Sequence, residues 1–93
     1  LNSVLGLVRS ETTVNELKAI DEQVEMVQNR LFNLGSLLAC ENAKLKNQLP
    51  QIHENDILYL EKAIDGFQAE LEELREFILP GGHRAAAFLH QAR

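Results

Sequence analysis

One cysteine, two prolines and five glycines in 93 residues exclude several classes of protein. Cys40 has no partner for an internal disulfide and cannot belong to a multi-cysteine metal site. It reads as a small, half-buried residue in a reducing compartment. So few helix and strand breakers exclude disorder along the whole chain. Positive charge is also scarce, with 9 Lys and Arg against 14 Asp and Glu and a net charge of −5. The chain therefore lacks the basic face that a sequence-independent grip on nucleic acid requires. The same balance argues against docking on an anionic membrane surface. No apolar run approaches the roughly 18 residues needed to span a bilayer. Residues 1–8 lack the basic leader and the length of a signal peptide. The chain begins with Leu1 rather than methionine, so any targeting segment is expected upstream.

What is present points to helices. Apolar residues make up 45% of the chain and charged residues 25%, the proportions of an ordinary folded protein. At this length the chain is one domain with a modest core, of the size that often needs an extension or a partner. The clearest periodicity is Ile57, Leu60, Ile64, Phe67, Leu71, Leu74 and Ile78, alternating steps of three and four. It predicts a helix with a heptad-like seam, opened by the first-turn residues Glu54, Asn55 and Asp56. Glu61, Asp65, Glu70, Glu72, Glu73 and Glu76 lie between the seam positions and read as a solvated acidic face.

Ile20, Val24, Val27, Leu31, Leu34 and Leu38 predict a second long helix, with Thr13 and Glu16 spaced as a capping box before it. Gly35 inside that helix marks a possible close approach of another backbone, at a cost of about 1 kcal/mol against alanine. Residues 41–52 read as a polar connection containing Pro50. At the start, Leu1, Val4, Leu5 and Val8 share one helical face through about residue 10, as if a helix had already begun. After Pro80, Gly81 and Gly82 a final helix restarts at Ala85, Ala86, Ala87, Phe88 and Leu89. The two long seams and short connections predict an all-α fold, an antiparallel helical bundle of the ferritin-like up-and-down type. Because both ends fall on helical patterns, the bundle is expected to be an incomplete helical core.

The chemical vocabulary is thin. His83 and His90 are seven apart, roughly 10 Å along a helix axis, too far to share one metal ion. His53 stands alone, and no serine or cysteine has a neighbouring histidine and acid that suggest a triad. Gly81 and Gly82 before a helix suit either an anion cradle at its N-terminus or a turn imposed by Pro80.

One segment is more specific. Phe77-Ile78-Leu79-Pro80-Gly81-Gly82, with Ala85-Ala86-Ala87, Leu89-His90 and Ala92-Arg93, resembles the F-I-L-P-G-G…A-A-x-x-H-x-A-R signature of the PduO-type ATP:cob(I)alamin adenosyltransferases. Leu1-Asn2-Ser3-Val4-Leu5-Gly6-Leu7 is similar to that family's D-E-L-N-S-x-x-G-L segment. Leu31-Phe32-Asn33-Leu34-Gly35 is similar to its L-F-D-L-G segment, and Leu60-Glu61 with Ile64-Asp65 to its L-E-x-x-I-D pattern. The four matches keep their order across nearly the whole chain.

The resemblance implies an enzyme that transfers the 5′-deoxyadenosyl group of ATP to the cobalt of cob(I)alamin, giving adenosylcobalamin and triphosphate. It implies cobalamin as substrate, ATP with Mg²⁺ as co-substrate, and a homotrimer with active sites between subunits. The compartment would be the cytoplasm in a bacterium or archaeon and the mitochondrial matrix in a eukaryote. Phe77 would cover the lower face of the corrin and exclude the axial base and water; on pattern alone it is an ordinary core aromatic at a helix end. Arg93 would pair with an aspartate just before Leu1, fixing the wall between nucleotide and corrin, and Asn2 would support that wall or simply pack. Gly81 and Gly82 would position Phe77. The family's Gly-rich T-x-T-G-D-x-G segment and its R-R-A-E-R run have no counterpart in residues 1–93. The chain is therefore expected to be a single helical domain lacking the N-terminal ATP-binding segment and the C-terminal helix continuation. Two other readings remain: a non-catalytic helical oligomerisation module, and a degenerate relative that binds corrinoid without transferring adenosyl.

Overall fold

The computed structural model describes residues 1–14 and 17–93. Among them are five helices and no strand: α1 (Asn2–Val14), α2 (Lys18–Ala39), α3 (Ala43–Gln48), α4 (Glu54–Gln68) and α5 (Arg84–Ala92). None of these helices is long and apolar enough to cross a membrane.

The core forms where α1 meets α2 and α5. Leu5, Val8 and Thr12 recur at steps of three and four, so they share the face of α1 that turns inward. Leu5 and Val8 cluster with Val24, and Ile20, Val27, Leu31, Phe88 and Ala92 pack around them. Thr12 is fully buried, and its hydroxyl lies 3.0 Å from the Arg9 carbonyl and 3.1 Å from Asp21 Oδ1. Its single proton thus has an acceptor on its own helix and another on α2, which satisfies a polar group that burial would otherwise penalise.

Polar pairs set the direction of α2 against α1. Arg9 donates from Nε to Asp21 Oδ1 at 3.0 Å and from Nη2 to Asp21 Oδ2 at 3.3 Å, a two-pronged contact. Nη2 also lies 3.4 Å from Glu25 Oε2. The hydrogen bond to Asp21 holds the guanidinium pKa above its ordinary value. Asn2 meets Gln28 while Arg9 meets Asp21, so the two helices run antiparallel, as the sequence suggests.

Three expectations change. First, α1 continues to Val14, beyond the predicted end near residue 10. The expected capping box of Thr13 with Glu16 lies outside the described residues. Second, the polar connection contains a short helix, α3, whose N-cap Asn42 accepts from the Lys44 and Leu45 amides at 2.9 and 3.3 Å.

Third, the long seam ends early. α4 stops at Gln68, so Leu71, Leu74 and Ile78 lie beyond it and are exposed. Helices draw most of their stability from a packed face, and no other described residue buries these three. Glu70, Glu72, Glu73 and Glu76 add like-charge neighbours and place negative charge where a helix C-terminus disfavours it.

Nor do the seams of α2 and α4 pair along their length. α4 approaches α2 at its start, where Arg30 Nε meets Asp56 Oδ1 at 2.6 Å beside a small apolar cleft that includes Leu31 and Ile57. At the far end of α2 the covered face is no longer that of the seam: Leu37 is 8% exposed and Leu38 is 77% exposed. At about 100° per residue Leu37 lies about 140° around the helix from Val24, so a different side of α2 is covered there. Cys40 is half-buried, as expected.

Candidate active site

Residues 69–83 carry the chain from α4 to α5. The last turn of α4 tightens, with Glu70 N–H donating to the Phe67 carbonyl at 3.3 Å and Leu71 N–H to Gln68 at 3.1 Å. Pro80 and the glycines then redirect the chain. Gly82 has φ +86°, a left-handed conformation that residues with a Cβ avoid. His83 follows as N-cap of α5, its Nδ1 accepting from the Ala85 amide at 3.1 Å. That bond gives the turn and the helix start a shared fastening.

α5 is placed by α1. Arg84 Nε lies 3.0 Å from Glu11 Oε1, tying the start of α5 to the late part of α1. Ala85 is buried, and Phe88 and Ala92 reach the core cluster of Leu5 and Val8. Alanine on the contact face permits the close approach. α5 therefore runs back along α1, and its last turn lies toward the end where α1 begins.

An open cleft of about 510 Å³ lies between that last turn and the connecting segment. Leu74, Phe77, Ile78 and Pro80 give it an apolar wall, His90 and Arg93 border it from α5, and Glu76 adds a carboxylate. Phe77 and Arg93, sixteen positions apart, thus line one space. Phe77 is 106% exposed, so within this chain it packs into no core. Such a site suits a ligand with a broad apolar face and groups that accept hydrogen bonds or carry negative charge.

Asn2 does not line the cleft. It sits in the first turn of α1, where Nδ2 donates to the Gln28 carbonyl at 3.3 Å and Gln28 Nε2 donates to the Asn2 carbonyl at 3.1 Å. Its Oδ1 is buried without a hydrogen-bond partner. Among the described residues no three His, Cys, Asp or Glu side chains converge as metal ligands. In the sequence His90 stands only as a distant partner for His83 and as the histidine of the A-A-x-x-H-x-A-R match, with no role at the site. Its position three residues before Arg93 was the available signal, because that spacing puts both on one face of a helix. The contacts of Gln28 and Arg9 carried no such signal, since their partners lie on other turns and another helix.

A family profile described as cobalamin adenosyltransferase matches residues 1–93. The chain belongs to that family. Among its relatives, a corrinoid adenosyltransferase of Bacillus subtilis is 35% identical over 94 residues, covering 100% of this chain and 47% of the relative. One from Citrobacter freundii is 38% identical over 93 residues, covering 100% and 51%. A mouse corrinoid adenosyltransferase is 32% identical over 98 residues, covering 100% and 40%. This adenosyltransferase-family chain therefore spans about half the length of the curated relatives it matches. No solved structure matches it.

Proposed function

We propose that this chain is the helical scaffold and part of the corrinoid site of an enzyme that adenosylates cob(I)alamin with ATP. The observation that carries the reading is the cleft shared by Phe77 and Arg93, within a chain that matches the family over its whole length. In the reaction, the reduced cobalt of the substrate attacks C5′ of ATP. A cobalt–carbon bond forms, the C5′–O bond breaks, and triphosphate leaves with the electron pair. The reduced substrate requires an external reductant.

Phe77, exposed at the mouth of the cleft, occupies the lower face of the corrin and keeps out both the axial base and water. Loss of the lower ligand leaves a four-coordinate cobalt that accepts the electron more readily. Arg93, which lines the same cleft, orients the polar edge of the site, and Asn2 supports the wall behind it. Mg²⁺ arrives with ATP, held largely through phosphate oxygens. The exposed apolar residues of α4, including Ile57, Ile64 and Phe67, support an assembly of several copies. A homotrimer with shared sites is the form we propose. The compartment is the cytoplasm in a bacterial or archaeal cell and the mitochondrial matrix in a eukaryotic one.

The test is anaerobic incubation of the full-length protein with cob(I)alamin and Mg-ATP, followed by visible absorbance and a triphosphate assay. Adenosylcobalamin with matching triphosphate supports the reading. Corrinoid binding without conversion would identify a relative that has lost the transfer step.

A further inference from the structure

We propose that Gln28 is a positioning residue for this site, holding the first turn of α1 in place behind the last turn of α5. The inference rests on the adenosyl-transfer reading above. Gln28 lies on α2, 26 positions from Asn2, yet the pair exchanges two hydrogen bonds. Gln28 Nε2 donates to the Asn2 carbonyl at 3.1 Å, and Asn2 Nδ2 donates to the Gln28 carbonyl at 3.3 Å. The other end of the same carboxamide is also engaged: Arg9 Nη1 donates to Gln28 Oε1 at 3.4 Å. Arg9 is in turn gripped by Asp21 and Glu25.

This chain of contacts fixes which way the amide points. Its oxygen faces a cation and its nitrogen faces a carbonyl, and the reversed orientation would lose both bonds. The side chain passes close to α1 at Gly6, one turn after Asn2: a Cβ there would sit 3.6 Å from Gln28 Nε2, an ordinary van der Waals contact.

The held turn lies at a useful place. Ala92 packs on the cluster of Leu5 and Val8, and Arg93, which follows it, lines the cleft with Phe77. The first turn of α1 therefore backs the last turn of α5. A displacement of about 1 Å at such a supporting element can cost a hundredfold in rate without touching a reacting atom.

Two variants of the full-length protein separate this role from simple stability. Gln28→Glu keeps an acceptor for Arg9, and strengthens it by charge, but removes the donor to Asn2 and sets two oxygens against each other. Gln28→Ala removes both contacts. The expected result for Gln28→Glu is native-like helicity and unfolding midpoint. Its kcat should fall roughly tenfold to a hundredfold, and KM for ATP and cob(I)alamin should change much less. Gln28→Ala should show the same kinetic loss with a lowered midpoint. Unchanged kcat in a folded Gln28→Glu protein overturns the proposal, as does a loss of rate that only tracks unfolding. A wild-type protein that makes no adenosylcobalamin overturns the adenosyl-transfer reading, and this inference with it. Active wild type beside unaffected variants overturns the role of Gln28 alone.

Discussion

Replacing Phe77 by alanine is the sharpest test, because its effects on stability and on chemistry should part completely. The side chain is 106% exposed and Val8 is 0% exposed, so the two mark opposite ends of the burial scale. Val8→Ala removes two buried methyl groups at about 0.8 kcal/mol each and leaves a cavity, for a total of about 2–3 kcal/mol. Phe77→Ala removes no buried contact in this chain and should fall within about 0.5 kcal/mol of wild type. Its cost should appear in turnover, where a loss of about 1.4 kcal/mol of transition-state stabilisation is already tenfold. Urea unfolding of both variants, followed by circular dichroism, gives the stabilities. Anaerobic adenosylation followed by absorbance gives the rates, and we expect Phe77→Ala to lose about tenfold or more. Full turnover by Phe77→Ala would refute the mechanistic reasoning, and a destabilisation as large as that of Val8→Ala would refute the structural half.

Two glycines provide a pair of opposite sign. A Cβ at Gly82 or at Gly35 would meet nothing within 4 Å, but only Gly82 has a positive φ. Gly82→Ala should therefore cost about 1–2 kcal/mol in thermal or urea unfolding through backbone strain alone. Gly35→Ala, inside α2, should stabilise by about 1 kcal/mol; destabilisation there would show that another backbone approaches α2 at this point. Asp56 provides the pH test. The His53 amide donates to Oδ2 at 2.9 Å, and this bond and that from Arg30 hold its pKa below the ordinary carboxylate value. The charged form is thus the one favoured by folding. Its contribution is complete above the unfolded-state pKa of about 3.9 and is lost as pH falls through the lower folded value. Asp56→Asn should flatten the acid limb of the stability curve and leave its shape near neutrality unchanged; an unaltered acid limb would count against the assignment.

Local rules made part of this architecture readable. The Glu54–Asp56 start of α4, the stop at Pro80 and the restart of α5 depend on capping, dipole and ring geometry within a few residues, all visible in the order of amino acids. The front half of the α2 seam was readable for the same reason. Leu71, Leu74 and Ile78 were misread because periodicity registers an apolar face whether or not anything covers it, and here no other described residue does. Helix α3 escaped notice because its stability comes from one side-chain cap at Asn42 rather than from a stripe. At the site, Phe77 and Arg93 came from a resemblance; only the folded chain puts them on one cleft. The Asp21–Arg9–Gln28–Asn2 chain was illegible because each link joins residues that become neighbours only after two helices dock.

The fastening of Arg84 to Glu11 has a consequence for how the protein is made. The two residues are more than seventy positions apart, and the helix covering the second side of α1 is made after α2, α3 and α4. Until then, among the described residues, α2 is the helix packed against the Leu5–Val8 face. Closure of so long a loop places this contact late in folding and raises the average sequence separation of native contacts, which slows assembly. An early helix waiting with one apolar flank uncovered is the kind of intermediate that chaperones shield. In a pulse-labelled refolding experiment, amides of the α1–α2 pair should therefore gain protection before those of α5.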